Sequence, residues 1–298
     1  QSQHVQAMFL IFSEELLEIM RVVSVLQSHA STSTAVHRWM LVVLKKIAQV
    51  CLQILDTLQR LLDLPSFMVI LQELLKHDEP VVRRHALVMF NARIDSLTEK
   101  ESMSPDKQAL FMDMFQELLE VLRTADYEAM EHKDANIQSA LLSIDILARR
   151  FGAAQKKEFT AALTDICNVI EKVAPAAHQE SSLAALNILS SCYLCVATMC
   201  AVLGAAVFPK LPVFFPKMLE SFESTLGGNS AGSDSESEGV GANLKSLQAC
   251  IGVVRTSVLS AVSSVCAYLP QFVHPYLLRV FKCMLHEDIL SSNDGAVS

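Results

Sequence analysis

Glycine, proline and aromatic residues are scarce in this sequence, which has 9 glycines, 9 prolines and 6% aromatic residues among 298 positions. A β-sandwich needs more turn residues and more aromatic side chains than this composition supplies. Hydrophobic residues nevertheless make up 51% of the chain, led by leucine, alanine and valine. The composition predicts an all-α fold of packed helices, in a chain longer than a single compact core usually grows.

Positive charge is also in short supply, since the formal net charge is −8 and the pI is about 5.6. A domain that mainly neutralises nucleic-acid phosphates is usually basic. Nucleic-acid binding along the whole chain is therefore disfavoured, whereas a local basic edge is not excluded. The sequence also lacks a signal peptide, an N-glycosylation sequon and an initiator methionine. Because it begins at Gln1, we expect a fragment of a longer chain.

Motifs of catalysis and cofactor binding are missing or out of context. No HExxH or Walker A sequence occurs, and the histidines lack the paired spacing of metal ligands. The stretch "GNSAG" (228–232) matches the G-x-S-x-G nucleophile elbow, but that chemistry needs a preceding strand, and here a helical pattern precedes it. We therefore expect no enzyme activity, no cofactor, no bound metal and no small-molecule substrate.

The eight cysteines lie inside apolar helical stretches, which is typical of free, buried thiols in a reducing compartment. Cys192 and Cys195 form a CxxC motif. It has no second CxxC and no adjacent histidine pair. Zinc binding and redox chemistry are therefore weaker interpretations than packing in the core.

No Asp, Glu, Lys or Arg occurs between Glu180 and Lys210, a gap longer than the roughly 20 residues of a membrane span. The gap has two interpretations, a transmembrane helix or a helix buried on all sides in a protein core. It contains several serines, and Gly204 and Pro209 near its end are typical of a turn between two helices. We favour the buried helix and expect no membrane contact.

A 3.6-residue period of apolar residues runs along nearly the whole chain and predicts a string of helices. We expect one continuous solenoid over 1–298, with helix pairs at 4–62, 66–97, 105–151, 155–203 and 207–268 and a partial pair at 271–286. Helix breaks are predicted at Pro65, Pro80, Gly152, Pro175, Pro209 and Pro270. The acidic, Gly- and Ser-rich segment 227–243 has little to bury and is predicted to be a disordered insertion.

The segment "LLKHDEPVVRRHALVMFNARI" (74–94) shows how two helices join. Asp78 is the predicted N-cap, and Pro80 suits the first turn of the second helix. An apolar stripe predicted to be buried follows: Val82, Ala86, Met89, Phe90 and Ile94. The apolar spacing returns near positions 140, 182 and 258. Without two insertions, at 127–136 and 227–243, the irregular offsets approach the 40–47 residues of a two-helix repeat.

The turn from "LLKHDEP" into "VVRRHAL" resembles the HEAT-repeat signature, through Leu74, Leu75, Pro80, Val82, Arg83 and Ala86. Longer stretches are similar to the C-terminal part of the U3 small nucleolar RNA-associated protein ten family, which are large HEAT-repeat scaffolds of the small-subunit processome. These stretches are 41–62, 64–95, 138–152, 208–222 and 262–277.

The resemblance implies an α-α superhelix, a location in the nucleus and nucleolus, and a role in early 18S ribosomal RNA maturation and in ribosomal DNA transcription. The partners it implies are other processome proteins and the U3 snoRNP/pre-rRNA assembly. It implies no enzyme activity and no catalytic residues.

Basic pairs are the candidate site residues that remain. Stacking of the repeats in register would place them along one edge, facing RNA phosphate or an acidic partner: Arg83, Arg84, Arg149, Arg150, Lys156 and Lys157. Solvated helix ends with ion pairs inside each repeat are the simpler interpretation. Ser233 and Ser235 each have a glutamate three residues on, a pattern typical of phosphorylation by acidophilic kinases.

An importin-type transport or regulatory adaptor is the alternative function, because such adaptors also use HEAT repeats and are often acidic. Their inner groove tends to carry acidic residues and repeated tryptophan or asparagine positions, whereas Trp39 is the single tryptophan of this chain. A non-enzymatic scaffold of a nucleolar ribonucleoprotein is therefore the preferred hypothesis.

Overall fold

The computed structural model describes residues 35–77, 80–97, 104–127, 134–179, 182–226 and 238–286, together with scattered positions between 4 and 26. Within these residues every regular element is helical. The α-helices are α1 (Ala35–Gln59), α2 (Leu64–Leu75), α3 (Pro80–Asp95), α4 (Pro105–Thr124), α5 (Asp134–Phe151), α6 (Lys156–Gln179), α7 (Leu183–Leu203), α8 (Leu211–Thr225), α9 (Glu238–Tyr268), α10 (Pro270–Val273) and α11 (Leu277–Met284). Two 3-10 segments, Gly204–Lys210 and His274–Tyr276, join neighbouring helices.

The chain divides into two compact units, Gln1–Met114 and Phe115–Ser298. Within each unit, helices pack against others that lie close to them in sequence. This is the packing of a HEAT-type α-helical solenoid, in which each helix pair contacts its neighbours. The predicted all-α, HEAT-type fold is confirmed, while the continuity of all the pairs in one solenoid stays a prediction.

In the first unit, α2 and α3 form a helix pair. Asp63 caps α2 by accepting a hydrogen bond from the Ser66 amide at 3.1 Å. The α3 helix begins at Pro80, as predicted. The predicted stripe on α3 is confirmed, since all five side chains are buried: Val82, Ala86, Met89, Phe90 and Ile94. The predicted cap, Asp78, lies outside the described residues.

In the second unit the helices form two layers. One layer holds α5, α7 and α9, which contact one another in that order. The other holds α6, α8 and α11, preceded by the end of α4, whose Phe115 ring lies 4.4 Å from the ring of Phe159 in α6. The pairs α6–α7 and α8–α9 connect the two layers. Each of these pairs supplies one helix to each layer, as a two-helix repeat requires.

The helix without charged residues, α7, is the core of the second unit. It packs against α5, α6 and α9, and 14 of its 21 residues are buried. Two helical stretches, Leu183–Thr225 and Leu247–Tyr268, are long and apolar enough to cross a membrane by length and composition alone. Since α7 is covered by neighbouring helices on several sides, its hydropathy is that of a core helix.

The end of α7 is set by Gly204, which has φ +56° and whose amide donates a hydrogen bond to the Cys200 carbonyl. Glycine adopts this positive φ at little cost, which lets the chain leave the helix here. The prediction that Gly204 and Pro209 separate two helices is therefore confirmed.

The break predicted at Pro175 is wrong, because Pro175 lies inside α6. Its position explains this: it is four residues from the helix end and exposed, so its missing N–H removes a single bond near the last turn. Val173 and Ala177 on either side are buried, which holds that turn against the core.

The predicted insertion 227–243 also differs at its end, because α9 begins at Glu238 and includes the last six residues. A glutamate in a first helical turn is favoured by the helix dipole. The rest of the insertion, 227–237, lies outside the described residues.

Gly152 ends α5 at a tight turn into α6, with its amide donating to the Ala148 carbonyl at 2.9 Å. A Cβ atom at this position would lie 2.5 Å from the Ala148 carbonyl oxygen and 2.7 Å from Cγ1 of Val202 in α7. The turn is therefore packed directly against the core helix, and no side chain fits there. By contrast, a Cβ at Gly252 in α9 would have no atom within 4 Å.

We expect Gly152→Ala to lower the free energy of unfolding by about 2 kcal/mol, because the added methyl must displace backbone or Val202. The matched change Gly252→Ala should instead raise it by about 0.5–1 kcal/mol, because alanine is the better residue inside a helix. Denaturant unfolding followed by circular dichroism measures both. Equal effects of the two substitutions would contradict the close packing of Gly152.

Candidate functional site

The eight cysteines are candidate reactive groups, and all of them are free thiols without disulfide partners. Cys192 and Cys195 lie on α7 with no exposed surface, and burial raises the pKa of both. Burial also raises the pKa of Cys167 to about 11 and that of Cys200 to about 12. Nucleophilic and metal-binding cysteines act as thiolates, so at neutral pH these four groups pack as small apolar side chains.

The prediction that every cysteine is buried is wrong for two of them, because Cys250 is half-buried and Cys266 is exposed. Both belong to α9, the last helix of its layer among the described residues, and a helix there keeps one face open. Across the described residues, no group of three or more His, Cys, Asp or Glu side chains is placed to hold a metal ion.

A cleft of about 500 Å³ lies in the first unit, between the start of α2, the end of α3 and the start of α4. Three of its polar side chains already serve the helix ends. Asp63 caps α2, and the Ser96 hydroxyl donates to the Arg93 carbonyl at 2.7 Å. The Arg93 guanidinium donates to the Leu62 carbonyl at 3.1 Å and lies 5.7 Å from the centre of the Phe67 ring. These three side chains hold the helix junction together and do not form a nucleophile with a base.

Ion pairs connect successive helices of the α4–α6–α8–α11 layer in the second unit. Arg123 binds Asp165 with two hydrogen bonds of 2.8 and 3.2 Å, joining α4 to α6. Lys217 lies 2.6 Å from Glu171, joining α8 to α6. Arg279 binds Glu223 with two hydrogen bonds of 2.7 Å, joining α11 to α8.

The partners of these inter-repeat ion pairs are 42, 46 and 56 residues apart in sequence. The first two separations match the predicted period of a two-helix repeat, and the third spans the insertion 227–243. Sequence reasoning missed these residues. The available signal was a pair of opposite charges one repeat apart, which only a fixed alignment of the repeats would reveal.

Three arginines, of which sequence reasoning singled out one, donate to main-chain carbonyls at the ends of neighbouring helices. Arg83 donates to the His77 carbonyl, just beyond α2, and Arg93 donates to that of Leu62, just beyond α1. Arg255 of α9 donates to that of Thr225, the last residue of α8. The last carbonyls of a helix have no partner within the helix, so Arg255 fastens α9 to the end of α8, while Arg83 and Arg93 fasten α3 to the two loops that flank α2.

The predicted basic residues have unequal environments. Arg83 is half-buried and bonded to His77, whereas Arg84 is exposed on the same helix of the first unit. Arg149 forms an ion pair of 2.5 Å with Asp145, one helical turn earlier. The other three residues lie with Arg149 at the α5–α6 turn of the second unit: Arg150, half-buried, and Lys156 and Lys157, both exposed.

The structure therefore brings four of the six predicted residues together at one turn. A common edge with Arg83 and Arg84 stays a prediction, because those two belong to the other unit. Ser233 and Ser235 lie outside the described residues.

Known proteins similar to this chain share the repeat type. The HEAT repeat-containing protein 1 homolog of Dictyostelium discoideum is 27% identical over 239 residues, which cover 80% of the chain and 9% of that protein. HEAT repeat-containing protein 1 of Homo sapiens is 26% identical over 245 residues, covering 82% of the chain and 10% of that protein. The U3 small nucleolar RNA-associated protein 10 of Coccidioides immitis is 23% identical over 194 residues, 65% of the chain. The chain resembles the U3 small nucleolar RNA-associated protein ten family.

No protein-family model matches the chain. The chain spans about a tenth of the length of the curated family members that it matches. The match therefore covers a few helix pairs of those longer relatives, and it does not by itself assign their activity or partners to this chain.

We expect Glu223→Gln to lower the free energy of unfolding by about 0.5–1 kcal/mol at neutral pH, because it breaks the link from α8 to α11. The hydrogen bonds and charge of Arg279 lower the pKa of Glu223 below its ordinary value of 4.5. A carboxylate with a lowered pKa stabilises the fold above its ordinary pKa and loses this effect as the pH falls through the folded value. The difference between the two proteins should therefore disappear in acid.

Denaturant titrations at neutral pH and at a pH well below 4.5 measure this difference. Glu117→Gln, at an exposed position of α4, is the matched control. If Glu223→Gln costs no more than the control, or if its cost persists in acid, the ion pair does not stabilise the layer.

Proposed function

We propose that this chain is a segment of a non-enzymatic HEAT-repeat scaffold that acts in ribosome biogenesis. In this proposal the whole protein belongs to a nucleolar ribonucleoprotein and supports assembly of the small-subunit processome, early processing of pre-18S rRNA and transcription of ribosomal DNA. Its partners are other processome proteins and the U3 snoRNP/pre-rRNA assembly. The similarity to family members whose names carry HEAT repeats and the U3 small nucleolar RNA supports it.

The observation that carries the scaffold role is the two-layer packing of the second unit. The thiols of its core helix α7 are fully buried, whereas its two layers present long helical faces to solvent. Repeats of this kind act through extended surfaces built from stacked helices, in which each helix pair supplies one strip. The fastening of helix to helix by ion pairs supports a surface of fixed geometry.

An importin-type adaptor is the second candidate, because the acidic balance of the chain suits a basic cargo. The α4–α6–α8–α11 layer weakens this candidate, since three of its carboxylates are already bound to cations of neighbouring repeats: Asp165, Glu171 and Glu223. An importin groove needs free carboxylates for the cargo.

Depletion of the full-length protein from cells of the source organism tests the proposal. We expect unprocessed 18S precursors to accumulate and mature 18S rRNA to fall more than large-subunit rRNA, because the processome acts on the small-subunit branch, whereas a loss of ribosomal DNA transcription lowers both. Northern hybridisation measures both species. Re-expression of the full-length protein, as the control, should restore 18S rRNA. Normal 18S levels combined with a defect in nuclear import of a reporter would instead establish the adaptor.

A further inference from the structure

Four cations gather at the α5–α6 turn of an otherwise acidic chain. Arg149 and Arg150 lie in the last turn of α5, and Lys156 and Lys157 open α6. Together they form the basic turn, defined by these four residues. The chain as a whole has a net charge of −8, so this local excess of positive charge runs against its average.

The basic turn is held in a fixed geometry. Gly152 at its centre is packed against Val202 of α7, and the amides of Ala154 and Gln155 both donate to the Phe151 carbonyl at 3.0 and 2.9 Å. A turn fixed in this way holds the end of α5 beside the start of α6. Arg149, Lys156 and Lys157 therefore project as exposed side chains from a packed turn, while Arg150 is half-buried.

Two cations of the basic turn, Arg149 and Arg150, already make contacts within the protein, so its uncompensated charge lies mainly on Lys156 and Lys157. Asp145 is buried, with 6% of its side chain exposed, and it engages one guanidinium nitrogen of Arg149. Arg149 itself is 66% exposed, so its remaining N–H donors face solvent. Glu158 is the acidic residue nearest the lysines in sequence, and α7, which packs behind the turn, has no charged residue. Within the described part of the chain, neither Lys156 nor Lys157 forms an ion pair.

We propose that the basic turn binds the phosphate backbone of single-stranded RNA. This inference rests on the proposed function, because a scaffold inside an RNA-containing particle meets RNA phosphates as its most abundant anions. Guanidinium groups bind phosphate with two parallel hydrogen bonds, and lysines add point charges that attract the backbone at any sequence. The basic turn therefore positions RNA without reading its bases.

Charge reversal at two places distinguishes RNA binding by the basic turn from attraction caused by the net charge of the whole chain. Lys156→Glu with Lys157→Glu alters the basic turn, while Lys45→Glu with Lys46→Glu alters an exposed lysine pair on α1 by the same net charge. Fluorescence anisotropy of a labelled oligouridine measures RNA affinity for the 298-residue chain and for both variants over a range of salt concentrations. A polyglutamate peptide serves as the competing acidic probe. Circular dichroism checks that each variant is folded.

The change at Lys156 and Lys157 should weaken oligouridine binding about tenfold and reduce the slope of log affinity against log salt by about 1.4, the value for two lost phosphate contacts on a single strand. The change at Lys45 and Lys46 should leave both values near those of the unmodified chain. Equal losses in the two variants, or no RNA binding by the unmodified chain, would overturn the proposal. So would polyglutamate competing as well as RNA, which would assign the basic turn to an acidic protein.

The 18S rRNA measurement and the oligouridine measurement test the proposed function and the basic turn independently. Normal 18S rRNA after depletion removes the nucleolar role while a positive oligouridine result still stands. Conversely, failure of oligouridine binding with a clear 18S defect removes the basic turn alone.

Discussion

The structure of the second unit depends on one constraint, which is that α7 offers water only a narrow strip around Asn187, Ser191 and Leu194. With no charged residue and buried side chains around most of its circumference, it needs cover from several directions at once. A single helical hairpin covers one side of a helix only. Stacking supplies the rest, because α5 and α9 lie on either side of α7 in its own layer and α6 covers it from the other layer. The solenoid arrangement follows from that need.

Polar side chains of α7 form hydrogen bonds with the helices that cover it. The Tyr193 hydroxyl shares a hydrogen bond of 2.5 Å with Ser221 of α8, and Asn187 accepts one from the Cys250 thiol of α9 at 3.4 Å. Ser190 and Ser191 both donate to the Asn187 carbonyl. An unsatisfied buried hydroxyl would cost about 1–3 kcal/mol, so the bonds to Ser221 and Cys250 fix α8 and α9 in register with α7 in addition to apolar contact.

The free energies of apolar burial and of ion pairing show that the two layers contribute differently to the fold. Burial of one large apolar side chain contributes about 1.5–3 kcal/mol, and α7 alone buries many of them. An exposed ion pair contributes about 0.2–1 kcal/mol, so the three inter-repeat ion pairs together are comparable to one buried leucine. The ion pairs instead fix the position of one helix relative to the next. Each pair joins residues one repeat apart, and a slip of one helical turn would separate both partners, which makes the ion pairs a control on register more than a source of stability.

The same distinction explains what the sequence predicts well and what it does not. The buried stripe on α3 and the apolar α7 follow from periodicity, because burial of a whole face leaves a mark on every third or fourth residue. The sequence alone does not show that Pro175 is tolerated inside α6, because this depends on how near the helix end lies and on which neighbours are buried. Arg83 and Arg84 look alike in sequence, yet one is bonded to His77 and the other is exposed. Sequence identifies the cations, while only the fold shows which of them are already engaged.

That difference bears directly on where this protein can meet a partner. Helix ends and the loops beside them leave carbonyls without partners, and in this chain arginines satisfy three of them: Arg83, Arg93 and Arg255. Arginine suits this task because its rigid fork reaches a neighbouring helix with several donors. Lysines at a turn have no such duty, and at the α5–α6 turn they remain in solvent. In a helical-repeat scaffold, the cations left for a partner are therefore those that the helix ends do not use.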